Sequence, residues 1–477
     1  MVGMMWKVRV LSQWLMKPRK QTMNNVKRLR AAILAIALTP LAACSSIPNP
    51  IEGIGNMINS SEDEVEAPTD GRISILTFEQ SLQVDPNVVQ AAIELPPAYV
   101  NTLWPQPGGY PTHALQHTAA SGALDVVWRE SVGEGSSNDR RLNARPVVAD
   151  GRVFMIDARG SVVAVDETTG NSLWTTLLED ESRNDRMAFG GGLSFDEGRI
   201  YAHSGGKFFV ALDAATGTEI WRTTVLIPFH GAPTASGGRI YVSSDDNELL
   251  ALDMATGAVQ WTYQGIVESA RLLTSPSPAV LGDIVVAPFA SGELVALRAQ
   301  NGNPIWSDSL TRSGNSTALS AINDVAGSPV ILDGVVYAMS HSGVLVAVEL
   351  RTGERLWTLP AGGLHTPWVV GDYLYVVTTE AEVVCVNRLT GTISWITSLD
   401  LFENPNRRKN RIAWSGPVIA GGRVFLASST GDAAILNAYD GSLVREFTLS
   451  DDVFVAPVIA NETIYVLTDE ARLIALR

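Results

Sequence analysis

The sequence predicts an all-β fold: an eight-bladed β-propeller whose ring is closed by pairing the N- and C-terminal strands in one blade. Three observations predict it. A short aliphatic strand, a polar Gly-containing turn and a tryptophan four residues after that glycine recur at intervals near forty-five residues. A proline stands at the start of nearly every repeat. The last repeat stops short of its tryptophan strand, while an unattached copy of that strand precedes the first repeat. A fixed period of this length, built from strand patterns, means radial repetition.

The first 43 residues read as an address. Lys27-Arg28-Leu29-Arg30 is a basic segment, followed from Ala31 to Ala43 by an apolar run too short to span a bilayer. It ends in Leu41-Ala42-Ala43-Cys44, which resembles the lipobox of bacterial lipoproteins. The resemblance implies cleavage before Cys44, a diacylglycerol on its sulfur and acylation of the new amine, giving a stable membrane anchor. Ser45 stands where the inner-membrane retention signal has Asp, so the resemblance points to the outer membrane.

Residues 44–72 are rich in Ser, Pro, Asn, Gly, Asp and Glu and read as a flexible acidic tether. Residues 73–121 form an N-terminal extension, with a strand and a short amphipathic helix expected within 73–95. Its turn-rich Trp104-Pro105-Gln106-Pro107-Gly108-Gly109 is expected to pack Trp104 onto the propeller. The propeller itself takes residues 122–477. The formal charge is −15, and the leader's eight basic residues leave 27 basic against 50 acidic groups in the remainder. A surface of that sign repels phosphate backbones, which excludes nucleic acid as a partner.

Within the propeller the cleanest repeats run from Gly198-Arg199-Ile200-Tyr201 to Trp221 and from Gly238-Arg239-Ile240-Tyr241 to Trp261. The Thr-Gly or Asn-Gly pair fits a hairpin turn in which glycine takes positive φ without steric cost. The glycine–tryptophan pattern recurs at Trp174, Trp306, Trp357 and Trp395 and degenerates to Gly441/Arg445. Repeat starts at Pro146, Leu193, Pro233, Pro278, Pro329, Pro367, Pro417 and Pro457 count eight blades. Proline suits the first residue of a strand because no ladder donor is needed there. The chain stops at Arg477, before an eighth tryptophan strand, and Leu124-Asp125-Val126-Val127-Trp128 supplies one. Seven of the twelve tryptophans, Trp128 included, therefore occupy one structural place, expected to be core across the groove between neighbouring blades.

These repeats resemble those of pyrroloquinoline-quinone enzymes, over about three-quarters of the chain. That family holds its cofactor with adjacent cysteines, a tryptophan platform and a carboxylate-bound calcium. Here Cys385 has no neighbouring cysteine and replaces an alanine on a strand, so it reads as a small buried thiol. His113 and His117 are four apart, a metal-ligating spacing on a helix, but the surrounding Pro, Gly and Thr argue against a helix. Ser243-Ser244-Asp245-Asp246-Asn247-Glu248 lacks the glycine and final glutamate of a calcium loop and reads as a solvated hairpin. No catalytic residue, metal site or cofactor is expected. A membrane-anchored quinoprotein-like dehydrogenase is the alternative reading.

Lipobox, acidic tether and a compact propeller of this repeat together look like the BamB family of outer-membrane assembly lipoproteins. The resemblance implies a non-enzymatic scaffold at the periplasmic face of the outer membrane. It implies binding to the POTRA domains of BamA, with unfolded outer-membrane proteins as further partners. It also implies that partner binding uses two adjacent loops. The first reads Glu268-Ser269-Ala270-Arg271-Leu272-Leu273 before Pro278, the second Ala321-Ile322-Asn323-Asp324-Val325-Ala326 before Pro329. Arg271, Leu272, Leu273 and Asp324 are the site residues it implies, with Ala326 in place of a second acid. Exposed leucines beside an arginine make an anchor of the kind that dominates interface energy.

Overall fold

The structure is a computed structural model that describes residues 82–84, 92–178, 191–268, 271–312 and 322–477. Cys44, the tether and most of 73–91 lie outside the described residues. The segment 92–95 carries no strand or helix. Residues Leu76–Arg477 form one compact unit.

The described residues form eight four-stranded antiparallel sheets. Blades 1 to 7 span residues 147–177, 192–224, 234–264, 279–309, 330–359, 368–398 and 414–448. Blade 8 combines residues 458–476 with the strand Val126–Ser131, which pairs with Arg472–Leu476 and places Trp128 opposite Ala475. The ring closes as the repeats predict, leaving no three-stranded blade with an open edge.

Six prolines immediately precede the innermost strand of their blade, as at Pro278 before Ala279–Leu281. Second and third strands are buried almost throughout, as in Ile240–Ser243 and Leu249–Leu252, because other strands flank them and neighbouring blades cover both faces. Fourth strands alternate in exposure, having water on one side.

Each tryptophan sits on a fourth strand opposite a small residue of the third: Trp221 opposite Ala211, Trp261 opposite Ala251, Trp395 opposite Cys385. In five of the seven the ring lies beside a tyrosine of the second strand, 5.9 Å away for Tyr241–Trp261, and Trp174 lies beside Phe154 instead. Cys385 is therefore alanine's stand-in, fully buried, its thiol pushed up to about 12 by burial. The indole also reaches the next blade. Trp174 Nε1 donates to Ala214 O at 3.1 Å, Trp261 Nε1 to Ala299 O at 3.0 Å and Trp357 Nε1 to Arg388 O at 2.8 Å. Trp306 and Trp395 are buried, but the other five are only half-buried. The outermost strand leaves part of those five indoles in water, while all five still pack against the cores of the blades.

The turn glycine is required twice over. Gly257 has φ of 73°, and a Cβ there would stand 2.4 Å from Thr223 Oγ1 and 2.5 Å from Trp221 Cε3. A Gly257→Ala change is expected to cost at least about 2 kcal/mol, from the left-handed backbone and the displaced indole together. Denaturant melts of the variant test this; an unchanged midpoint contradicts it. The degenerate seventh copy has a local cause. Blade 8 has no such turn because the chain ends meet there, and Arg445 fills the place, donating to Ala123 O at 3.0 Å and Asp125 Oδ1 at 2.9 Å.

The N-terminal extension lies across the end of the central channel. Trp104 exchanges backbone hydrogen bonds with Val148 of blade 1, and Pro105 O accepts from Phe195 N of blade 2. Gln106 exchanges two hydrogen bonds with the Ala235 backbone of blade 3. Pro111 O and Thr112 O accept from Val280 and Ile331 of blades 4 and 5. Gln116 Oε1 accepts from Gly371 N after the first strand of blade 6, Thr118 O from Gly421 N, and Asn101 O from Asn461 N. One segment thus satisfies inner-strand or inner-turn backbone groups of all eight blades, groups that would otherwise need water or other partners. Trp104 is 1% exposed and packs against Trp368, as the turn-rich sequence led us to expect.

Candidate partner-binding rim

Antiparallel blades place two kinds of connection on one rim: the link from a fourth strand to the next blade, and the turn between second and third strands. The extension bonds mainly to the opposite ends of the inner strands and meets these links only where they enter the strands, His113 bonding to Pro329 O and Ser277 Oγ. The two loops implicated by the sequence, 268–273 and 321–326, belong to the links from blade 3 to blade 4 and from blade 4 to blade 5, on this rim.

The structure brings the two loops together. Asp324 Oδ2 accepts the Leu272 N–H at 3.0 Å, and Arg271 Nη1 donates to Asp245 Oδ1 at 3.1 Å. Asp324 is 2% exposed, and burial raises its carboxyl above the usual range against the opposing pull of the Leu272 N–H and Arg271. Its place is inside the loop junction, whereas Leu273, beside it, is 49% exposed. Arg271 and Leu272 are half-buried.

Sequence reasoning missed four participants. Asp245 belongs to the turn read as a solvated hairpin. The hairpin is present, with Ser244 N donating to Glu248 O at 2.8 Å, but Asp245 also fixes Arg271. Asn247, buried at φ 58°, donates through Nδ2 to Ile266 O at 2.6 Å and accepts from Ala290 N at 3.3 Å. That clamp displays Ile266 and Val267, 58% and 62% exposed, on the same link as Leu273. A run of Ile-Val in a non-strand link was the available signal. The rim therefore presents apolar side chains next to a cation whose position is set by a partly buried acid.

Buried histidines surround this region and the channel without forming a metal site. His230 Nδ1 lies 3.6 Å from Asp245 Oδ1, yet burial first, then Arg271, pulls its pKa down to about 3, so it is neutral. His203 donates from Nε2 to Gly231 O at 2.8 Å and accepts from Gly205 N. His113 and His117 are not on a helix: His113 has φ of 60°. His113 Nδ1 donates to Pro329 O, and His117 Nδ1 to Pro96 O while its Nε2 accepts from Gly422 N. Both tie the extension down. Among the described residues no cluster of three metal-ligating side chains occurs.

Comparison with known proteins places the chain. The family model described as outer membrane protein assembly factor BamB matches residues 116–188, 158–397 and 403–477. The chain is 30% identical to the outer membrane protein assembly factor BamB of Salmonella typhimurium, over 74% of this chain and 88% of that one. The crystal structure of BamB from Moraxella catarrhalis superimposes with a TM-score of 0.64 at 19% identity, covering 74% of this chain and all of that one. Quinohemoprotein alcohol dehydrogenase from Comamonas testosteroni shares the fold at a TM-score of 0.60 and 14% identity, covering 83% of this chain and 82% of that one. Fold alone does not separate scaffold from dehydrogenase, but the sequence relatives are named assembly factors rather than enzymes. The chain belongs to the BamB family of outer membrane protein assembly factors.

Proposed function

We propose that the protein is a non-enzymatic scaffold subunit of the machinery that assembles outer-membrane β-barrels. Lipid on Cys44 would hold it at the periplasmic face of the outer membrane, with residues 44–72 as the tether. Its partner would be the POTRA domains of BamA, bound by the rim of blades 3 to 5. The observation that carries this reading is the display of Ile266, Val267 and Leu273 beside Arg271, backed by Asp245, Asn247 and Asp324. Exposed apolar side chains rimmed by polar groups mark interaction sites, and an arginine with aliphatic neighbours supplies the few contacts that dominate affinity. Unfolded outer-membrane proteins would add a strand to the unpaired edge of the fourth strands.

Arg271→Glu combined with Leu273→Asp is expected to reduce co-purification with BamA at least tenfold, the loss of one to two hot-spot contacts. Leu273→Asp alone should leave the melting temperature near that of the parent, since Leu273 is exposed, whereas Arg271→Glu also sets two acids against each other at Asp245 and lowers it. Undiminished co-purification rejects this surface. Asp324→Ala is a different case: it orphans the Leu272 N–H and acts by loosening the loop junction.

A further inference from the structure

The link from blade 6 to blade 7 carries a small sheet of its own on the rim already described. Phe402–Asn404 pairs with Lys409–Arg411, and every residue from Glu403 to Arg411 is exposed. The hairpin holds Arg407, Arg408, Lys409 and Arg411, four of the 27 basic residues after residue 43, against two acids in the link, Asp400 and Glu403. Nowhere else after residue 43 do three basic residues stand in a row. Arg411 pairs with Glu380 at 3.0 Å, whereas Arg407, Arg408 and Lys409 make no ion pair with a described carboxylate.

The hairpin is built to display these charges. Trp414 Nε1 donates to Asp400 O and Ile412 N to Leu401 O, both at 2.9 Å, which fixes its base to blade 7. At the tip Asn404 Oδ1 accepts from Arg407 N at 3.1 Å, and Glu403 Oε2 accepts from Asn410 Nδ2 at 2.8 Å. The Arg408 guanidinium lies 5.6 Å over the Phe402 ring and that of Arg411 6.0 Å. Arg408 has φ of 47° and Asn410 φ of 57°. Asparagine tolerates that region, but arginine keeps a strain that glycine would relieve, and strain kept at an exposed position points to a use for the side chain.

The segment 399–413 has no exposed large apolar side chain, and Phe402 is half-buried. A folded acidic protein would bind through a desolvated anchor, which this hairpin lacks. A layer of lipid phosphates needs only exposed positive charge, and each cation within a Debye length of it raises binding about fivefold. We propose that the hairpin 402–411 binds the anionic phospholipid headgroups of a membrane. The protein as a whole carries a charge of −15 and is repelled by such a surface, so the contact is oriented and turns this rim towards the bilayer. It adds to the lipid anchor proposed at Cys44 and does not depend on it.

The test uses the full chain, purified in detergent and reconstituted with vesicles, carrying a fluorescent residue at Asn406. A headgroup-bound quencher should act about threefold more strongly on vesicles with about 30% phosphatidylglycerol than on phosphatidylcholine alone, and about 0.5 M sodium chloride should remove the difference. Arg407→Gln with Lys409→Gln should remove it as well. A fluorescent residue at Thr390, exposed in blade 6 on the opposite rim, should be quenched to the same small extent on both vesicles. Equal quenching at Asn406 on the two vesicles overturns the proposal, as does a difference that survives in the double variant. Quenching at the Thr390 level on every vesicle, with Asn406 shielded once BamA is added, overturns it in favour of an acidic protein face.

Discussion

The unfolding free energy is expected to fall by about 4 kcal/mol per pH unit near pH 5, and to be nearly flat above pH 7. Three histidines with little or no exposure, His113, His203 and His230, are held neutral by burial, with pKa values lowered to about 4, 4 and 3. In the unfolded chain each takes a proton near its ordinary 6.5. Stability from these groups is therefore complete above pH 6.5 and is lost as pH falls from 6.5 towards 4, where the unfolded state holds up to three more protons. Each such proton contributes a slope of about 1.4 kcal/mol per pH unit. The hydrogen bonds give the same sign: protonating His203 Nδ1 or His113 Nε2 destroys the acceptor used by Gly205 N or Ser277 Oγ. Asp324 and Asp245, raised by burial, act oppositely as pH falls towards the carboxylate range, which blunts the slope at its acid end. Urea titrations at half-unit steps from pH 8 to 4.5 measure it. A curve without loss between pH 6.5 and 5 contradicts the neutral burial of these rings.

Removing the N-terminal extension is expected to be the most damaging single lesion. Trp104→Ala alone should cost about 3–5 kcal/mol, the usual range for a buried tryptophan, or on the order of 10 °C in Tm. A chain beginning at residue 122 should do worse, because inner-strand or inner-turn groups of all eight blades lose their partners at once. Among them are Val148, Phe195, Val280, Ile331 and Gly421, each bonded to the extension's backbone. That chain should bind a hydrophobic dye and lose cooperativity, while its far-ultraviolet spectrum keeps its β character. Equal melting of the two chains would show the extension to be superficial.

Much of this architecture was legible in the residues because repetition amplifies weak signals. One Gly-x-x-x-Trp pattern says little, but six of them with a proline start specify blades, and a missing eighth copy specifies where the ends meet. The pairing of Trp128 with Ala475 and the placement of Cys385 opposite Trp395 follow from that register. The extension carries no period. Its contacts are backbone groups and left-handed residues such as His113 and Gln116, which leave no hydrophobic pattern. Nor could spacing show that Asp245 would reach Arg271 from the neighbouring link, or that Asp324 would turn inward, because both depend on how two links cross in space. The half-exposure of most blade tryptophans was hidden for a similar reason: sequence marks the strand, not how much of its outer face meets water.

Site-specific photo-crosslinking in native membranes tests the docking claim most directly. A photoreactive residue at Val267 or Leu273 should capture BamA, whereas one at Val444, 57% exposed on the outer strand of blade 7, should not. Capture from Val444 with none from Val267 or Leu273 would contradict the assignment of the rim.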